Sequence, residues 1–176
     1  MPRLPVALAT VLTVSAGLAA QTPRLLDPQR SGIDQISEIL STRSDLDAIH
    51  LITHGTDASI QVGTDTLDLA LLQSEPDAIS DWGGALTEEG DILIYGCNVA
   101  ETEQGQVLID TLAEMTRADV AASDDLTGHE GLGGDWDLEY RAGQIEASLF
   151  ADEVVLRDWT GTLDAEQVSA EYLTSP

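Results

Sequence analysis

Leu46-Asp47-Ala48-Ile49-His50-Leu51-Ile52-Thr53-His54-Gly55 and Asp91-Ile92-Leu93-Ile94-Tyr95-Gly96-Cys97 share one pattern: an apolar run, a glycine, and one reactive side chain just past the run. A short continuous apolar run closed by a turn signal marks a strand buried on both faces, as in a parallel sheet. Helical patterns surround these strands. Ile33, Ile36, Ile39 and Leu40 recur at three- and four-residue steps, and Val107, Leu108, Leu112 and Met115 share one face of Gln104–Met115. Leu67–Leu72 and Ala78–Leu86 read as short helical pieces on either side of Pro76. Ile60–Val62 followed by Gly63–Leu67 reads as a small hairpin, Glu89-Gly90 as a turn, and Ala118–Ala122 as a third short strand. From Gly133 the period falls to two: Trp136, Leu138 and Tyr140 alternate with acids, and after Arg141–Gln144 so do Ile145, Ala147 and Leu149. The expected fold is therefore α/β: a three-layer α/β/α sandwich with a mostly parallel sheet and a C-terminal antiparallel hairpin.

Ligands of such sheets bind at the carboxyl ends of the strands, where His54 and Cys97 both lie. A thiol becomes a nucleophile when a base takes its proton, and an imidazole can later return that proton to a leaving amine. His54 and Cys97 are thus the candidate catalytic pair. The backbone N–H groups of Gly55 and Cys97 are the candidate oxyanion donors. Taken singly, each residue also has a bland reading: a lone Cys at the end of an apolar strand is usually an ordinary buried side chain, and a His before Gly an ordinary turn residue. Asp57, Asp124 and Asp125, in loops near the strand ends, are candidates for recognising a basic substrate side chain. His50 and His54 lie four apart, which makes a metal pair on a helix but separates them by roughly 13 Å along a strand. No HExxH glutamate follows His50, and His129 reads as a loop residue. No metal site and no cofactor is expected. Calcium binding by Asp124-Asp125 or Gly133-Gly134-Asp135 is set below a solvated acidic surface, because the EF-hand spacing is missing.

Composition narrows the partners. The 176 residues hold 32 acids against 7 basic residues, a formal charge of −25, with no Lys. Counterion release on nucleic acid requires a basic footprint that this chain lacks. The acidic balance points to a saline or extracellular setting. It also opposes formation of a thiolate unless His54 is close or high salt damps the field. The single cysteine excludes an intramolecular disulfide framework.

Residues 1–20 contain none of the acids. Arg3, the apolar stretch to Leu18 and the small residues Gly17, Ala19 and Ala20 read as a secretory signal peptide cleaved near Ala19 or Ala20. The alternative is a buried first strand over Ala9–Val14. No later stretch has the apolar length of a membrane span. The expected organisation is a signal peptide over 1–20, one domain over 24–163 and a polar tail over 164–176.

LLDPQRSGIDQI, LDAIHLITHG, WGGAL, GDILIYGCNVA, ADVAASDDLTG, GGDWDLEY and the closing WTGTL run from Leu25 to Leu163. In these motifs the chain resembles a bacterial family catalogued as domain of unknown function 4347. That family is similar to the caspase-like cysteine peptidases, the clan of CHAT domains and gingipain-type enzymes, which place a His-Gly and a Cys after successive strands of a parallel sheet. The resemblance implies a caspase-like sheet, with His54 as general base, Cys97 as nucleophile, and Gly55 and Cys97 as oxyanion donors. It implies a secreted or cell-surface bacterial peptidase acting on a polypeptide in trans or on its own chain. Family members usually form the N-terminal module of large adhesin-like surface proteins. A catalytically silent module for attachment or for binding a surface protein is the rival expectation.

Overall fold

A computed structural model describes residues 10–16, 19–20, 23–151 and 156–163. In chain order these form strands β1 (Val11–Ala16), β2 (Ala19–Ala20) and β3 (Arg24–Leu25), helix α1 (Gly32–Leu40), and strand β4 (Leu46–Ile52). Short strands β5 (Gly55–Thr56), β6 (Ser59–Val62) and β7 (Asp65–Leu67) precede helices α2 (Leu69–Ser74) and α3 (Pro76–Gly83). Then come strand β8 (Leu86–Tyr95), helix α4 (Glu103–Thr116), and strands β9 (Asp119–Ala122) and β10 (Tyr140–Ala142).

The helices begin where a short polar side chain can hold a free backbone amide. Ser31 accepts the Asp34 N–H at α1, Asp68 the Leu71 N–H at α2, and Thr102 the Gln104 N–H at α4. Pro76 stands in the first turn of α3, where a missing N–H leaves no bond unmade.

A seven-stranded sheet runs β10-β9-β8-β4-β1-β2, with β3 also paired to β1, while β5, β6 and β7 make a small antiparallel sheet. Strands β4, β8 and β9 are parallel; β1 and β10 flank them antiparallel. The sheet is therefore mixed around a parallel centre, a correction to the mostly parallel expectation. Since β4, β8 and β9 are added in one direction, right-handed crossovers place the intervening helices on one face. Ile49, Leu51, Ile92 and Ile94 meet all four helices in one apolar cluster. The alternate residues, among them Ala48, Leu93, Tyr95 and Ala121, face the segment after β9. There Trp136 packs edge-on to Phe150 and Trp159, at 5.4 and 5.5 Å between ring centres. The α/β class holds, but α1–α4 form one layer rather than two.

Two further expectations change, at Glu89-Gly90 and in the C-terminal hairpin. Val11–Ala16, open to two readings, is a strand in this structure, paired with β4 from Val11–Ile52 to Ser15–Ala48, with Val11, Leu12 and Val14 buried. Residues 1–9 and 17–18 of the expected signal peptide and the tail 164–176 lie outside the described residues. The expected turn at Glu89-Gly90 is part of β8, which starts at Leu86 and absorbs a register shift against Leu46–Ala48. The C-terminal hairpin does not form. Its first arm yields β10, paired with β9. In the second arm the N–H groups of Glu146 and Ala147 donate to Asp91 Oδ2, at 3.0 and 2.7 Å, so a side chain takes those donors.

Candidate active site

The ends of β4 and β8 lie abreast, in register to Ile52–Tyr95, and the Thr53 N–H continues the ladder to the Tyr95 carbonyl at 2.9 Å. His54-Gly55 and Gly96-Cys97 follow as adjoining tips. Their glycines are required by closeness. A Cβ on Gly55 would stand 2.5 Å from Val99 Cγ2 and 2.8 Å from the Cys97 carbonyl oxygen, and one on Gly96 would stand 3.2 Å from the Gly55 nitrogen. The Gln61 N–H donates to the His54 carbonyl at 3.0 Å, and Gly55 opposes Ile60 at the next pair. Gly55 is thereby at a non-hydrogen-bonded position, with its N–H turned away from β6. After Cys97 the chain turns sharply through Asn98, at φ 60°, whose N–H donates to the Asp125 carbonyl at 2.7 Å.

The C-terminal segment covers these tips. His54 Nδ1 lies 2.9 Å from the Leu163 carbonyl oxygen. A carbonyl only accepts, so Nδ1 carries the proton and Nε2 of the neutral ring is the basic nitrogen. Cys97 is 1% exposed, and its S–H donates to the Thr127 carbonyl with Sγ 3.7 Å away. That same carbonyl accepts the Leu163 N–H at 2.8 Å, and the His129 N–H donates to the Gly161 carbonyl at 2.9 Å. Gly161–Leu163 is thus laid along Thr127–His129, across the tips that carry His54 and Cys97.

The aspartates have separate positions. Both Asp57 carboxylate oxygens accept the Thr102 hydroxyl, at 2.9 and 2.8 Å, so Asp57 braces the head of α4. The Asp124 N–H donates to Glu139 at 3.0 Å. Asp125 reaches the site through its backbone, and burial, with Asp135 and Asp124 nearby, holds its carboxyl above the usual range. His50 is not paired with His54: it lies inside the sheet, stacked on Tyr95 at 6.1 Å, and burial lowers its pKa to about 4. Sequence reasoning missed the cleft of about 610 Å³ lined by His129, Glu130, Trp136, Leu149 and Arg157. The glycine-rich run Gly128–Gly134, which lets the backbone fold back there, was its available signal.

A family model described as Domain of unknown function (DUF4347) matches residues 8–163. The chain belongs to this family. The DUF4347 match starts ahead of β1 and ends at Leu163, so it takes in both the strand that flanks β4 and the residue that meets His54. No curated protein and no solved structure matches the chain.

Proposed function

We propose that this DUF4347 chain is a caspase-like cysteine peptidase held closed by its own C-terminal segment. One observation carries the reading: the His-Gly and Gly-Cys tips of adjacent parallel strands are packed against each other, each glycine excluding a side chain. In the proposed reaction His54 Nε2 takes the Cys97 proton and sulfur adds to a peptide carbonyl. The Gly55 and Cys97 N–H groups hold the resulting oxyanion. The C–N bond then breaks, with the proton passing from His54 to the amine. Water, deprotonated by His54, hydrolyses the thioester and restores the thiol. The substrate is a polypeptide, either a separate chain or a segment of this one.

The test takes the chain with Leu163→Gly, which loosens the cover, and compares it with the same chain carrying Cys97→Ala or His54→Ala in a peptide-library assay, with mass spectrometry of the incubated chain. Cleavage lost in both variants supports the proposal. Cleavage that is absent throughout, or equal in all three, sinks it. The rival, a silent surface-attachment module, is favoured by the burial of Cys97. It requires that Cys97 resist alkylation even with the covering segment displaced.

A further inference from the structure

At the opposite ends of the parallel strands from His54 and Cys97, three carboxylates converge. Asp91 on β8 and Asp119 on β9 are direct partners in the parallel ladder, so their side chains leave the same face side by side. Glu146 joins them from the segment that crosses that face. One carboxylate oxygen of each lies within 4.8 Å of the others. Acids in register on neighbouring strands repel one another, and neither salt bridge formed among the described residues reaches them.

A second observation is independent of this clustering. Asp91 is 0% exposed, and although its Oδ2 accepts two backbone N–H groups, its buried Oδ1 has no hydrogen-bond donor among the described residues. A carboxylate oxygen so placed is stable only with a proton or a cation. The neighbouring turn is shaped for an open carboxylate: at Gly143, φ 113°, a Cβ would stand 1.9 Å from Asp119 Oδ1. Asp119 is half-buried and Glu146 exposed, which leaves a route from solvent.

We propose that Asp91, Asp119 and Glu146 bind a calcium ion that fastens the covering segment to the sheet. An all-carboxylate set suits a hard cation rather than zinc or copper. Two oxygens that each touch calcium at about 2.3–2.6 Å stand at most about 5 Å apart, a limit this cluster meets. Calcium also tolerates the irregular geometry that magnesium, held near octahedral, does not. The groups Asp124–Asp125–Glu139 and Asp135–Asp137–Glu139 have no buried orphan oxygen and carry no such inference. The proposal stands apart from the peptidase reading, because it concerns the other end of the strands.

Calorimetric titration of the chelator-treated full chain with calcium chloride tests it, beside thermal melts in calcium and in magnesium. The comparison variant is Asp119→Asn/Glu146→Gln, which changes only partly exposed carboxylates. One saturable calcium site is expected in wild type. Its melting temperature should rise by at least about 5 °C at calcium about a hundredfold above Kd, and both effects should vanish in the variant. Wild type without saturable uptake overturns the site and leaves Asp91 holding a proton. Uptake unchanged in the variant overturns it too, by placing the ion on the exposed loops. An equal magnesium shift at matched ionic strength overturns it as general charge screening.

Discussion

On the helix side of the sheet, Ile49, Leu51, Ile92 and Ile94 meet their neighbours through apolar atoms alone. One residue along, the same strands present His50, Asp91 and Tyr95 to the other side, and β1 presents Thr13. Thr13 Oγ1, His50 Nδ1 and Asp91 Oδ1 are buried there with no hydrogen-bond partner among the described residues. Leaving a buried polar group unsatisfied costs about 1–3 kcal/mol. One side is thus built for stability, while the other accepts a cost and carries the titratable groups and the cysteine. The division follows from the period-two alternation of a strand, which lets a single β8 serve both purposes.

The largest disruption should come from removing residues 1–16. Without β1, strand β4 loses a full antiparallel partner and its buried Val11, Leu12 and Val14. Loss of cooperative thermal unfolding is expected, and a truncated chain that melts like wild type would show that the sheet closes without β1. N-terminal sequencing of exported chain would then decide whether 1–20 is removed.

Next in size is Trp82→Ala. Trp82 is fully buried on the helix side, and its Nε1 donates to Ser37 Oγ at 3.0 Å, joining α3 to α1. A loss of about 3–5 kcal/mol in denaturant unfolding is expected. A much smaller loss would remove the stability side of the contrast.

The other side should be sensitive to acid. His50 falls from 6.5 to about 4 on folding. Between those values only the unfolded chain binds the proton, so stability declines as pH drops through this window, by about 3 kcal/mol in full. Asp91 acts in the opposite sense: burial raises its folded pKa, so its protonation favours the fold. Urea midpoints for wild type and His50→Leu across that window separate the two, since the variant should lose only the His50 decline. Parallel curves would locate the acid sensitivity elsewhere.

The smallest effect should be the opening of the covered site. Leu163→Gly removes a fully buried side chain beside Thr127 and His54. The rate of Cys97 alkylation by iodoacetamide should rise about tenfold, equivalent to about 1.4 kcal/mol of closing energy. An unchanged rate would mean that some other part of the chain keeps the thiol closed.

Much of this was legible in the chain itself. The runs ending at His54 and Cys97 announce their strands because a strand buried on both sides has no polar positions to blur it. The helices were legible through their period and caps. The C-terminal region was not, because the alternation of Ile145, Ala147 and Leu149 looks the same whether the backbone pairs with a strand or with Asp91 Oδ2. The single helical layer was also hidden: it depends on the direction in which strands are added, which no local pattern encodes. Of the site, the His54 and Cys97 positions could be read in advance. The Leu163 contact could not, since it joins residues 109 positions apart.

Thr127 offers one carbonyl to both the Cys97 thiol and the Leu163 amide. Cys97 is 1% exposed behind that contact, and an oxidant or a disulfide must reach the sulfur to react with it. While Leu163 is seated, the chain's lone cysteine is therefore protected from sulfenic acid formation and from disulfide exchange with a second molecule. A chain meeting oxidising surroundings would keep its thiol reduced until the segment lifts, so displacement of Leu163 would set the redox lifetime of Cys97 as well as access to it.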